Sequence, residues 1–406
     1  MPDAATIYRA RWVIDADGSV IAGGAVVAAG GRIARVGPWS KVRPHVAAGE
    51  AVEAFADAAL LPGFVNAHTH LSLSDMAGAF RPTANFTAWI GNLALRRYAR
   101  AKAQIRRAVA RGAADSLAAG TVAGADVTPE PQVDEALGAL APRWRVFGEL
   151  LRFGQKGLKR LDETVAALDA LHEKTGAAVG LAPHSPYTVG VEVFVQARRE
   201  ADARGWPVGA HLHETLDEIA FTERGEGSLH EWLSRIKFLP PGLKPVGLRP
   251  IRMLAEAGFF SGPVLVAHGN YLTEAEIGIL AESRSSVAYC PRSHAFFKHA
   301  NHPWRRLVAA GVNVCLGTDS LASSPSLSIL EEARFVASRE PDADPRALLA
   351  MATRCGARAL GVDDRVGDLR EGLDAEFCAV GPLPDTDDPL EAIMAGEGNL
   401  LRVVGA

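Results

Sequence analysis

The sequence predicts a (β/α)₈ TIM barrel carrying a small β-sandwich domain built from both chain ends. Three observations lead there. Eight apolar runs of strand length alternate with helical patterns through the middle of the 406-residue chain. Glycine-punctuated β runs occupy both ends. Histidines and carboxylates close the apolar runs instead of interrupting them. The expected division is 1–61 and 365–406 for the sandwich and 62–364 for the barrel.

The N-terminal runs WVIDADG, AVVAAGGRIARVG and AVEAFADAALLPG alternate in polarity and break at Gly turns, which is hairpin chemistry. VGDLREGLDAEFCAVGP and LLRVVGA near the C-terminus read the same way and are expected to join the N-terminal strands. In between, strands are expected at 64–70, 121–127, 143–150, 178–184, 207–213, 263–269, 286–291 and 312–319. Helical patterns separate them. Ile105, Val109 and Leu117 fall at helical spacing with Gly120 as a stop. Thr273 and Glu276 have the spacing of a capping box. Eight strands alternating with helices over about 300 residues is the count for a closed parallel barrel. A doubly wound open sheet would need a Gly-rich phosphate turn after an early strand, and none is present.

Composition narrows the function. Hydrophobic residues are 48% and charged residues 22%, as in ordinary globular proteins. With 43 basic and 47 acidic side chains the net charge is −4, so nothing favours nucleic acid as a partner. Cys290, Cys315, Cys355 and Cys378 form no CxxC pair and read as reduced core thiols. The first twenty residues lack a signal pattern, and no run of about 18 apolar residues could span a bilayer. A cytoplasmic protein with a small-molecule substrate and no membrane partner is expected; a homodimer is compatible with this.

The polar residues at the strand ends carry the chemistry. His68 and His70 close the first barrel strand, His184 the fourth, His211 and His213 the fifth, and His268 the sixth. Asp126, Glu149 and Asp319 end the second, third and eighth. In a parallel barrel these ends share one face, where such enzymes place their sites. His68 and His70 are two apart on a strand and project to one side, so they can chelate one divalent ion. The alternative, a pair satisfied by local hydrogen bonds, weakens because further donors follow downstream. His211 in HLHETLDE is preferred as the third ligand because Glu214 then follows at H-x-x-E spacing as a proton shuttle. His213 has the same parity and is read as a supporting contact. Asp319 either ligates the metal and takes a proton from water or caps the next turn. His268 is read as orienting the attacking water. No lysine ends the fourth strand to bridge two metals, so one divalent ion, zinc or iron, is expected.

The set LPGFVNAHTH, HLHETLDE, VAHGN and LGTDS resembles the amidohydrolase superfamily, in its adenosine and cytosine deaminase-like branch. That resemblance covers nearly the whole chain, including VGDLREGLDAEF. It implies His68, His70, His211 and Asp319 as metal ligands, Glu214 as proton shuttle and His268 as a catalytic histidine. APHSPYTV resembles the fourth-strand motif of enzymes acting on adenine nucleosides, implying that His184 touches substrate. From SLHEWL through RPIRMLAEAG to CPRSHAFFKH the chain is similar to aminofutalosine deaminases of the menaquinone route, although CPRSH departs from the usual CPxSN.

The expected reaction is therefore metal-dependent hydrolytic deamination of an adenine-type nucleoside, with aminodeoxyfutalosine foremost. S-adenosylhomocysteine or methylthioadenosine deamination, or hydrolysis of a cyclic amide or chloro-heterocycle, are the alternatives. A metal-binding scaffold without catalysis would not need Glu214 and His268. Trp89, Arg152, Lys156 and Arg292 are further candidates for substrate contact, each weighed against ordinary core packing or solvation. Asn85-Phe86-Thr87 fits a glycosylation sequon that carries no meaning without secretion.

Overall fold

The computed structural model describes residues 5–46, 50–131 and 143–405; the first four residues of the opening run read above lie outside them. Five strands come first: β1 (Thr6–Ile14), β2 (Val20–Ala22), β3 (Gly24–Ala29), β4 (Arg32–Pro38) and β5 (Ala51–Pro62). The next eight are β6 (Phe64–Thr69), β7 (Thr121–Thr128), β8 (Trp144–Leu150), β9 (Ala178–Pro183), β10 (Val208–Leu212), β11 (Val264–His268), β12 (Ser286–Tyr289) and β13 (Asn313–Leu316). Near the C-terminus follow β14 (Phe377–Gly381) and β15 (Asn399–Val404).

Strands from both chain ends form one seven-stranded sheet in the order β15-β14-β5-β1-β3-β4, with β2 added on β1. Alternation along β1 sends apolar side chains to both faces. Tyr8 packs edge-on against Phe377 at 5.1 Å, with Val26, Ile33 and Leu60, while the adjacent Ile7 joins Ala25, Val27 and Val42.

The other sheet is the barrel, in the sequential order β6 to β13. Its strands are almost wholly buried, as befits parallel strands covered on both faces. Closure comes from the parallel bridge Thr69–Asp319, where the Thr69 hydroxyl donates to the Asp319 carbonyl at 2.8 Å. All eight strand expectations are met, with ends displaced by at most three residues. Phe147 fills the interior: a Cβ on Gly180 would stand 2.7 Å from its ring, so only glycine fits there. The helix expected around Ile105 spans Lys102–Ala118, and Thr273 and Glu276 form a complete capping box. Asn85 caps the helix Phe86–Tyr98 by accepting from the Ala88 N–H.

By internal packing the chain divides into two compact units, Met1–Ala67 with Ala114–Gly124 and Ser328–Ala406, and His68–Ala113 with Ala125–Leu327. Every residue of the site described below belongs to the second. All four cysteines are free thiols. Among the described residues no helix is long and apolar enough to cross a membrane.

Candidate metal centre and active site

His68 lies on β6 and His70 follows its end, with their rings 5.0 Å apart. His211 on β10 brings its ring to 4.8 Å from His68 and 5.3 Å from His70. The ligand atoms of these three lie within 4.8 Å of one another. The Nε2 atoms of His70 and His211 are 3.2 Å apart. Two nitrogens bound to one tetrahedral ion at about 2.0–2.1 Å would be separated by roughly 3.3 Å. His70 Nδ1 lies 2.8 Å from the Val127 carbonyl and must donate to it, which leaves Nε2 as a bare lone pair.

Asp319 is brought in by the backbone. Pairing of β13 ends at Leu316, and the N–H groups of Thr318 and Asp319 then both donate to the His68 carbonyl at 3.1 Å. Asp319 takes a positive φ of 55°, unusual outside glycine. Its Oδ1 lies 3.8 Å from His70 Nε2, while Oδ2 accepts from the Ser293 and Ser323 hydroxyls at 2.7 Å each. Three imidazoles and one carboxylate, all buried, form a donor set that fits one divalent transition ion. Burial and mutual repulsion among the rings hold His68 and His211 well below the ordinary histidine range, so they present lone pairs and not protons.

The two serines were not legible as site residues. Replacing either by Ala should weaken metal affinity about 10–100-fold while leaving the fold intact, as for other groups that hydrogen-bond a metal ligand. Titration with a fluorescent zinc chelator checks this; unchanged affinity in both variants would remove them from the site.

Glu214 follows β10 and is buried. Its N–H and that of His213 donate to the Glu218 carboxylate at 2.9 and 3.1 Å, and its carbonyl accepts from the Asn270 side chain at 2.9 Å. Burial, then the charges of Asp319 and Glu218, push its carboxyl well above the usual range, in the direction that favours the protonated acid. Glu214 Oε1 lies 3.6 Å from His268 Nε2, and burial lowers His268 to about 4. Glu214 and His268 thus face each other beside the three-histidine cluster.

His213 does not enter the cluster. Its Nε2 lies 3.1 Å from Glu276, and Arg249 donates to the same Glu276 oxygen at 2.9 Å. Burial alone would raise Glu276, but the His213 and Arg249 contacts outweigh it and hold the acid down at about 2. A depressed carboxylate adds stability above its unfolded pKa of about 4.3 and loses it as pH falls towards 2. Arg249→Met should therefore cost about 3 kcal/mol at pH 7. That penalty should shrink steadily between about pH 4 and 2 as Glu276 protonates, which urea titrations across the range would measure.

A cavity of 740 Å³ opens over this face, lined by His70, His184, His211, Glu214, His268 and Asp319. His184 Nδ1 lies 2.6 Å from the Thr188 hydroxyl, which itself donates to the Ser185 carbonyl. His184 therefore donates through Nδ1 and keeps Nε2 as an acceptor. His184, His211 and Glu149 also lie within 4.8 Å of one another, but Glu149 already faces Arg97 at 3.7 Å. Trp89 lines the cavity and also packs on Phe297 at 4.8 Å, so wall and core coincide there. Arg152, stacked over Phe238 at 4.4 Å, and Lys156 stand on the lining as well. Arg292 does not: its guanidinium is turned to Ser326, donating to the hydroxyl and the carbonyl at 3.0 Å each. Tyr187 and Trp232, which residue type alone did not single out, complete the aromatic wall.

Barrel, strand-end donors and acid define a hydrolase of the amidohydrolase type, and the chain belongs to the Amidohydrolase family, whose profile matches residues 59–404. It is similar to the 5-methylthioadenosine/S-adenosylhomocysteine deaminase of Halobacterium salinarum, with 32% identity over 351 residues, 82% of this chain and 75% of that one. It is 33% identical over 342 residues to the aminodeoxyfutalosine deaminase of Deinococcus radiodurans, covering 79% and 78%. A zinc-bound adenosine deaminase structure from Xanthomonas campestris matches with a TM-score of 0.82 at 26% identity, over 99% of this chain and 92% of that chain.

Proposed function

We propose that the protein hydrolytically deaminates an adenine-type nucleoside and releases ammonia. The observation that carries this reading is the pairing of buried Glu214 with His268, 3.6 Å apart, on a cavity wall shared with His70, His211 and Asp319. His68, His70, His211 and Asp319 would hold one zinc or iron ion. When bound, the ion supplies Lewis acidity that makes water nucleophilic near neutral pH. Asp319 and His268 orient the attacking water and take up its proton. Glu214 donates its proton to a ring nitrogen as the amine-bearing carbon is attacked. That carbon then expels ammonia, which leaves with a proton returned from the same groups. His184 Nε2 accepts from a hydroxyl or amine of the substrate, while Trp89 and Arg152 line its path.

Aminodeoxyfutalosine is the substrate placed first, in a cytoplasmic enzyme of menaquinone biosynthesis whose catalytic domain is 62–364. The names of both deaminase relatives support a nucleoside extended beyond the ribose. The test is ammonia release by metal-analysed protein from aminodeoxyfutalosine, methylthioadenosine, S-adenosylhomocysteine, adenosine, cytosine and guanine. Release from one adenine nucleoside with about one metal per chain is expected. Silence across the panel with metal bound would redirect attention to cyclic amides and chloro-heterocycles.

A further inference from the structure

We propose that His302 is a positioning residue that sets the orientation of His268; the inference deepens the reading of His268 as the histidine that handles the attacking water. His302 sits between the helices Pro291–Phe296 and Trp304–Ala309, in the CPRSHAFFKHANHPW segment, and has no part in the proposed chemistry. Its Nε2 lies 2.7 Å from the backbone carbonyl of His268. A carbonyl only accepts, so the imidazole donates through Nε2.

Three further facts make this contact specific. The His302 ring is 7% exposed and stacks on Tyr289 at 3.9 Å with a 12° angle between planes, which fixes where Nε2 points. Nδ1 is buried without a hydrogen-bond partner, so a proton there would be stranded and the Nε2–H tautomer is the one retained. His268 itself ends β11 with a φ of 72°, a left-handed backbone that a side chain other than glycine adopts only when its surroundings enforce it.

The His268 peptide is a junction. On one side Gly269 and Asn270 donate their N–H groups to the carbonyls of Leu212 and His213, and the Asn270 side chain holds the Glu214 carbonyl. On the other side stands His302. Freeing the carbonyl lets this peptide rotate and swings the imidazole relative to Glu214, 3.6 Å away. His302 is not itself a residue of the cavity lining, and its hydrogen bond to the site runs to the His268 carbonyl, so its effect passes through His268.

The test compares His302→Phe, which keeps the stack on Tyr289 and removes the donor, with His302→Gln, whose amide nitrogen reaches the position of Nε2. In the metal-loaded protein, the Phe variant should keep its metal content and its cooperative fold, with a modest fall in melting temperature from the unsatisfied carbonyl. It should lose kcat by about 10–100-fold with KM changed less than about twofold, and the Gln variant should recover most of the loss. The ¹⁵N imidazole signals of His268, assigned with His268→Asn, should shift in the Phe variant and return in the Gln variant. Should the Phe variant not fold, His302→Asn, whose donor falls short of the carbonyl, replaces it. Wild-type kcat with unshifted His268 signals would overturn the proposal. So would a loss that Gln does not rescue or that tracks loss of metal. If the wild type deaminates nothing, the functional reading fails on its own, and the His268 signals still decide the role of His302.

Discussion

Glu214→Gln should bind metal as the wild type does and lose turnover by about 10²–10⁴-fold, the usual contribution of a positioned general acid. The amide matches the carboxyl in size, so its contact with His268 and the backbone grip of Glu218 and Asn270 on residue 214 persist. What disappears is the transferable proton whose retention burial beside Asp319 and Glu218 favours. Steady-state kinetics on the substrate that the ammonia panel selects, with metal analysis of the same sample, would measure both quantities. A variant with full activity would remove Glu214 from the mechanism; one that loses its metal would move it among the ligands.

His70→Ala should lose both metal and turnover. His70 stands between the other donors, 3.2 Å from His211 Nε2 and 3.8 Å from Asp319 Oδ1. Its removal leaves two imidazoles and a carboxylate, one nitrogen donor short of the set this site presents, and takes away the ring that stands between His211 and Asp319. Loss of several kcal/mol of Lewis-acid stabilisation corresponds to a rate drop of about 10³-fold or more. A ligand that binds only the folded state also stabilises it, so a chelator should lower the melting temperature of the wild type. The same chelator should leave that of His70→Ala unmoved. A chelator-induced drop of equal size in both proteins would show that the ion responsible sits elsewhere.

Legibility followed the range of the interactions. The eight barrel strands stood out because each is a short apolar run buried on both faces, and such runs need no partner to be recognised. His68 and His70 stood out because a two-residue spacing alone puts both side chains on one side of a strand. Glu214 was readable from its distance to His211 along the chain. The roles of Ser293, Ser323 and Glu218 were not, since an isolated serine or glutamate carries no periodicity that marks it as a site residue. Their function comes from meeting a carboxylate 26 residues away, in the case of Ser293 and Asp319, or from folding back on a backbone four residues earlier, in the case of Glu218 and Glu214. Arg292 shows the converse: its type and position after a strand made it a candidate for substrate contact, weighed against solvation, and its guanidinium is turned to Ser326.

The sequence by itself determined the barrel, the joining of both chain ends in one sheet, and which histidines and carboxylates crowd one face. These follow from local periodicity and from the rule that parallel strands present their C-terminal ends together. Only the tertiary structure decided which of the two histidines on β10 and its following loop joins the cluster. Parity treats His211 and His213 alike, but the left-handed turn at His213 sends its ring to Glu276 and Arg249 and leaves His211 facing His68 and His70. The H-x-x-E spacing favoured His211, but what holds His213 away is a buried carboxylate 63 residues further along the chain, whose desolvation demands a partner.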